Sequence, residues 1–111
     1  MIRQTLQKTL PTIEVTGPTL TGAEELLLAK SILYIAEISE VTPDLADGEI
    51  KLQGSLDNAN WIDLDLSAVT ANGILALKDT DGQFRFYRIR MNCSAGSFQV
   101  ELTLLAKRGY N

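Results

Sequence analysis

From Gly48 onward apolar and polar residues alternate, and short intervals rich in Gly, Asn and Asp separate the alternating runs. That rhythm predicts half-buried strands joined by tight turns, the pattern of an antiparallel sandwich. Over 49–55, Ile50 and Leu52 fall on one face and Glu49, Lys51 and Gln53 on the other, with Gly54 marking a bulge or a close backbone approach. Residues 61–66 set Trp61, Asp63 and Asp65 against Ile62, Leu64 and Leu66, and 74–77 is a short run bounded by Asn72-Gly73 and Asp79. In 84–91, Phe84, Phe86, Arg88 and Arg90 share one face, and Arg85, Tyr87, Ile89 and Met91 the other. The clearest strand is 97–106, where Phe98, Val100, Leu102, Leu104 and Ala106 oppose Ser97, Gln99, Glu101 and Thr103.

The first 41 residues read less simply. Residues 24–30 are good helix formers, and Thr21 with Glu24 has the spacing of a capping box. Residues 31–41 are instead β-branched and aromatic, with Ile32, Tyr34, Ala36 and Ile38 alternating against Glu37 and Ser39. The reading is two strands with a break near Ala29-Lys30, a helix in 23–41 being the alternative. Before them, Ile2, Leu6, Leu10, Ile13 and Val15 are spaced among Thr and Gln and interrupted by Pro11, Gly17 and Pro18. This predicts an extended N-terminal arm and an edge strand over 1–19, because proline has no N–H to give a sheet ladder. A single all-β antiparallel sandwich domain is expected over 20–111.

Length and composition narrow the chemistry. The 111 residues, 45% hydrophobic and 22% charged, fit one domain able to bury a core without staples. A net charge of -4 disfavours a dedicated nucleic-acid binder, whose affinity comes from neutralising phosphates. No apolar run approaches the ~20 residues of a membrane span, and no basic, apolar leader follows Met1, so a soluble, unprocessed chain without membrane partners is expected. Histidine is absent and Cys93 is the single cysteine. Those two facts remove Ser-His-Asp and Cys-His sites and a structural zinc site, and no enzyme activity is expected. No metal or cofactor is expected either. Asp44, Asp47 and Glu49 around Gly48, and Asp79 and Asp81 before Gly82, lack the spacing of a calcium loop and read as turn residues. Cys93 has no cationic neighbour to lower its pKa and reads as unreactive.

The most informative stretch is 52–61, Leu-Gln-Gly-Ser-Leu-Asp-Asn-Ala-Asn-Trp. Ser55 and Asp57 can bond the turn's own N–H groups, Asn58 can take a left-handed conformation, and Trp61 can cover one end of the core. The rival reading displays Trp61 as a stacking platform for a sugar, with Asp57, Asn58 and Asn60 supplying hydrogen bonds. Arg85, Arg88 and Arg90 interleave with Phe84, Phe86 and Tyr87, as in single-strand nucleic-acid binders. Asp81 and the acidic balance oppose that, and cross-strand pairs with Asp or Glu are the expectation.

Ser55-x-Asp57-x-x-x-Trp61 with the downstream run Phe86-Tyr87-Arg88-Ile89-Arg90 resembles the discoidin pattern, with Asn58 in place of the family glycine. The chain more closely resembles small bacteriophage virion proteins, which carry an L-Q-G-S-x-D-x-x-N-W-x-D-L hairpin, a T-A-N-G turn, an F-R-Y-x-R-I-R strand and a final apolar strand. Here these are 52–64, 70–73, 84–90 and 98–106. The resemblance implies a jelly-roll or discoidin-like sandwich acting as a virion component. The chain is shorter than a discoidin domain, lacks its bracketing cysteines and has no matching apolar spikes, so phospholipid binding does not carry over.

Together these features predict a non-enzymatic virion structural protein, made in the host cytoplasm. The first expectation is a capsid cement or decoration protein binding neighbouring shell subunits. A tail or baseplate module and a carbohydrate-binding module are the alternatives. Expected partners are other virion proteins, the major capsid protein or tail proteins, and further copies in a homo-oligomer. The residues predicted to touch partners are Ile2, Leu6 and Leu10 on the arm, with Arg108 and Tyr110 in the tail.

Overall fold

The computed structural model describes residues 3–26, 29–80 and 84–109. Among these, strands follow in the order β1 (Arg3–Thr9), β2 (Ile13–Val15), β3 (Thr19–Leu20), β4 (Glu24–Glu25), β5 (Ser31–Ser39), β6 (Gly48–Ser55), β7 (Ile62–Val69), β8 (Gly73–Asp79), β9 (Phe86–Asn92) and β10 (Phe98–Gly109). The chain folds back on itself about the turn between β6 and β7. β1 and β2 pair with β10, β3 and β4 with β9, β5 with β8, and β6 with β7, all antiparallel. Two further pairings, β10 with β5 and β9 with β6, gather these hairpins into two sheets. One sheet runs β1-β10-β5-β8 with β2 beside β10, and the other β3-β9-β6-β7 with β4 beside β9. Counting β1/β2 and β3/β4 as interrupted single strands, this is the eight-strand double Greek key of a jelly roll.

Alternation places the core between the sheets. Ile32, Tyr34, Ala36, Ile38, Leu77 and the predicted row Phe98, Val100, Leu102, Leu104 and Ala106 are buried from the first sheet. Ile50, Leu52, Tyr87, Ile89 and Met91 meet them from the second. Each fully buried large apolar side chain contributes about 1.5–3 kcal/mol. The ion pairs, such as Lys8–Glu24 at 2.9 Å joining β1 to β4, are partly exposed and add about 0–1 kcal/mol each. Burial therefore dominates the stability.

Among the described residues of 23–41, β4 and β5 form as expected, with Ala29-Lys30 between them. Tertiary partners override local helix propensity. The Thr21 hydroxyl accepts the Ile89 N–H at 3.0 Å, and Glu24 pairs with Lys8, so neither forms a capping box. The N-terminal segment is extended but docked. From Arg3 to Thr9 it pairs residue by residue with β10, and the strand stops where Pro11 interrupts the ladder.

Two faces read from the sequence are corrected by the structure. A register shift between Leu52 and Gln53 bulges the β6–β7 pair. A one-residue shift exchanges faces, so Leu64 packs on the core while Leu66 is 58% exposed. Asp65 instead meets the other sheet, its carboxylate accepting the Lys78 N–H of β8 at 3.0 Å. Phe84 also leaves its predicted face, because the strand begins only at Phe86. It packs edge-on against Tyr87, with ring centres 6.3 Å apart, and covers Gly54. A Cβ on Gly54 would lie 2.7 Å from the Phe84 ring, which explains the glycine by close approach.

Candidate functional site

The turn between β6 and β7 is built as its residues predict. The Ser55 hydroxyl accepts the N–H groups of Asp57 and Asn58, at 3.3 and 3.0 Å, and donates to the Asp57 carboxylate at 3.0 Å. That carboxylate accepts the N–H groups of Ala59 and Asn60, at 2.9 and 2.8 Å, and the Asn60 amide at 2.7 Å. These donors, the Asn60 N–H first, hold the Asp57 carboxyl well below the usual carboxylate range. Asn58 takes the left-handed conformation, φ 61°. Of the polar side chains named for a sugar site, Asp57 and the Asn60 amide are engaged by the turn itself, while Asn58 enters the turn through its backbone N–H.

Trp61 follows the turn and is half-buried against Arg88 on the outer face of the second sheet, instead of covering an end of the core as its turn position suggested. The Arg88 guanidinium lies over its ring, 4.0 Å from the centre. Arg88 also donates from Nε to the Gln53 side-chain carbonyl at 2.8 Å, and the Gln53 amide donates to Asp63 at 2.8 Å. Asp63 completes the row against Lys51 at 3.4 Å. The Gln53 hydrogen bond, ahead of the Lys51 contacts, draws the Asp63 carboxyl below its ordinary value. Burial, with the charge of Arg90, lowers the pKa of Arg88. Arg88 takes one face of Trp61, so the stacking reading would have to use the opposite face of the ring. Gln53, Asp63 and Lys51 join Trp61 through strand register, which no local spacing signals.

Of the expected cross-strand pairs, Arg85 bonds Glu25 of β4, whereas Arg88 takes an amide and a ring. Asp47 serves a turn, its carboxylate accepting the Ser94 hydroxyl at 2.7 Å. The Cys93 side chain is buried, its thiol facing the carbonyls of Gly96 and Val15 at 3.5 and 3.8 Å. Asp81 and Gly82 lie outside the described residues.

The predicted partner-binding residues separate. Leu6 sits on β1 opposite Ala106 and is 45% exposed. Leu10 packs against the core, and its N–H donates to the Leu102 carbonyl at 2.8 Å, so it anchors the edge. Arg108 lies opposite Gln4 in the β1–β10 ladder. Ile2 and Tyr110 lie outside the described residues. Apolar exposure that the sequence did not single out occurs at Leu20 (52%), Leu66 and Ile74 (71%).

No family model and no curated protein matches the sequence. Among solved structures, the chain is similar to YomS, an SPBc2 prophage-derived protein, with a TM-score of 0.58 and 14% identity over 95% of this chain and 96% of that one. It is also similar to a chain from the Bacillus endospore appendages, which form a novel family of disulfide-linked pili. There the TM-score is 0.58 and the identity 10%, over 100% of this chain and 93% of that one. At these identities the likeness extends to the fold: this chain shares, end to end, the β-sandwich of a prophage-derived protein and of a pilus-forming family.

Proposed function

We propose that this chain is a non-enzymatic structural subunit of a phage particle, a rigid jelly roll that works by contact with neighbouring subunits. The observation that carries the reading is the apolar exposure of its surface. Large apolar side chains, Leu6, Leu20, Ile62, Leu66 and Ile74, stand exposed on strands and Leu56 on the β6–β7 turn, where Ser55, Asp57 and the Asn60 amide bond one another. Exposed apolar groups on a rigid scaffold suit protein contact better than small-molecule chemistry. The prophage origin of one structural neighbour and the pilus assembly of the other support the same class. Buried Cys93 points to non-covalent association, unlike the disulfide linkage of the pili. Within that class, shell decoration is the first assignment and a tail or baseplate position the second.

The test is co-sedimentation with phage shells lacking the protein, using wild type and Leu6→Glu. Leu6 is exposed, so the variant is expected to melt like wild type and to sediment less. Equal sedimentation would remove the β1 edge from the contact, and a wild type that stays in the supernatant would refute shell decoration.

A further inference from the structure

The outer face of the β1-β10-β5-β8 sheet carries a pattern that the monomer does not use. Register sets Leu33 opposite Leu105 and Lys78, and Ile35 opposite Thr103 and Ala76. These residues alternate with the buried row Ile32, Tyr34 and Ala36, so they point away from the core. Toward one end, Glu37 lies directly opposite Glu101, a like-charge cross-strand pair that weakens a sheet. Toward the other end stands Lys107, with Lys78 beside Leu33 in the row next to it. All four charged residues are exposed, and among the described residues none has an ion-pair partner. The face is thus an apolar centre, acidic at one end and basic at the other.

We infer that this face binds the same face of a second copy about a two-fold axis that crosses the strands between the Ile35–Thr103 and Leu33–Leu105 rows. That axis lays Ile35 and Thr103 of one copy on Leu33 and Leu105 of the other. It also sets Glu101 over the other copy's Lys107, and places Glu37 one strand and one row from the other copy's Lys78, which lies over Ala76. An axis parallel to the strands would instead stack acid on acid. Charge therefore selects one self-complementary arrangement, the isologous geometry of a two-fold dimer. β5 and the paired part of β10 contribute nine residues each, and β1 and β8 seven each. At about 4.8 Å between strands and about 3.3 Å per residue the face measures roughly 500 Å² per copy. A dimer then buries on the order of 1,000 Å², in the range of weak interfaces, so the association is concentration-dependent. The inference deepens the structural-subunit reading by naming the surface through which copies meet.

The test is solution mass by light scattering across a concentration series, with two charge-swap variants at exposed positions that leave the core intact. Wild type should rise toward twice the chain mass. Glu37→Lys/Glu101→Lys, basic at both ends, and Lys78→Glu/Lys107→Glu, acidic at both ends, should each remain monomeric. Their equimolar mixture should recover the doubled mass. A monomeric wild type at every concentration, or swaps that dimerise as wild type does, or a mixture that stays monomeric, would overturn the proposal. A wild type that dimerises as described yet ignores phage shells would refute the particle role alone.

Discussion

The guanidinium of Arg88 lies 4.0 Å from the centre of the Trp61 ring, so a cation from β9 closes one face of the indole that follows the β6–β7 turn. The contact ties the residue that follows the turn to the middle of the sheet, where Arg88 also bonds Gln53. At a partly exposed site such a pair contributes about 0.5–1 kcal/mol. Arg88→Ala should lower stability by about that amount, plus the loss of the bond to Gln53, about 1 kcal/mol. Quenching of Trp61 fluorescence by a neutral quencher should rise in the variant. Unchanged quenching would mean that Arg88 does not shield the ring in solution.

Two buried tyrosines should respond oppositely to loss of their hydroxyls. Tyr87 donates to Asp79 at 2.9 Å and accepts the Phe84 N–H at 3.3 Å. The Tyr34 hydroxyl is buried with no hydrogen-bond partner among the described residues, and burial, with the charge of Glu24, raises its pKa. Denaturant unfolding should show Tyr87→Phe losing about 1–2 kcal/mol, and Tyr34→Phe neutral or up to about 1 kcal/mol more stable. A large loss for Tyr34→Phe would reveal a partner for that hydroxyl.

Gly54 and Phe84 should behave as one unit. Gly54→Val drives a side chain into the Phe84 ring and the Leu64 methyl, 2.8 Å from a Cβ at that position, and overpacking of this kind costs about 1–3 kcal/mol. Combining it with Phe84→Leu should cost less than the sum of the two single changes, because the smaller side chain vacates the contested space. Strict additivity in a double-mutant cycle would separate the two residues.

Asp57 should give the turn a characteristic acid response. Its folded-state pKa is depressed by the N–H groups of Asn60 and Ala59, so its contribution is fully present above the unfolded value of about 3.9 and is lost as pH falls toward the folded value. Asp57→Ala should therefore melt below wild type at neutral pH, with the gap narrowing only below about pH 4. A gap that shrinks already between pH 7 and 5 would contradict the assigned hydrogen bonds.

Much of this fold is legible in the sequence because strand alternation is a local signal. The row from Phe98 to Ala106 is buried as its period of two requires, and Asn58 is left-handed as a turn asparagine can be. What escapes a local reading depends on register. The bulge between Leu52 and Gln53 turns Leu66 outward and Asp65 toward β8, and no spacing within 61–66 announces it. Phe84 fits a strand alternation until the strand is seen to begin at Phe86. The pairing of Trp61 with Arg88 and the opposition of Glu37 to Glu101 each join residues far apart in the chain. Pairing partners must be known before either can be read.

A structural subunit that adds to a particle must fill a finite set of sites on it. The decisive measurement is a titration of purified protein against phage shells that lack it, with bound protein measured after sedimentation. Binding should saturate at a fixed ratio of bound chain to shell subunit. No binding, or uptake that rises without saturating, would rule out a subunit of the shell.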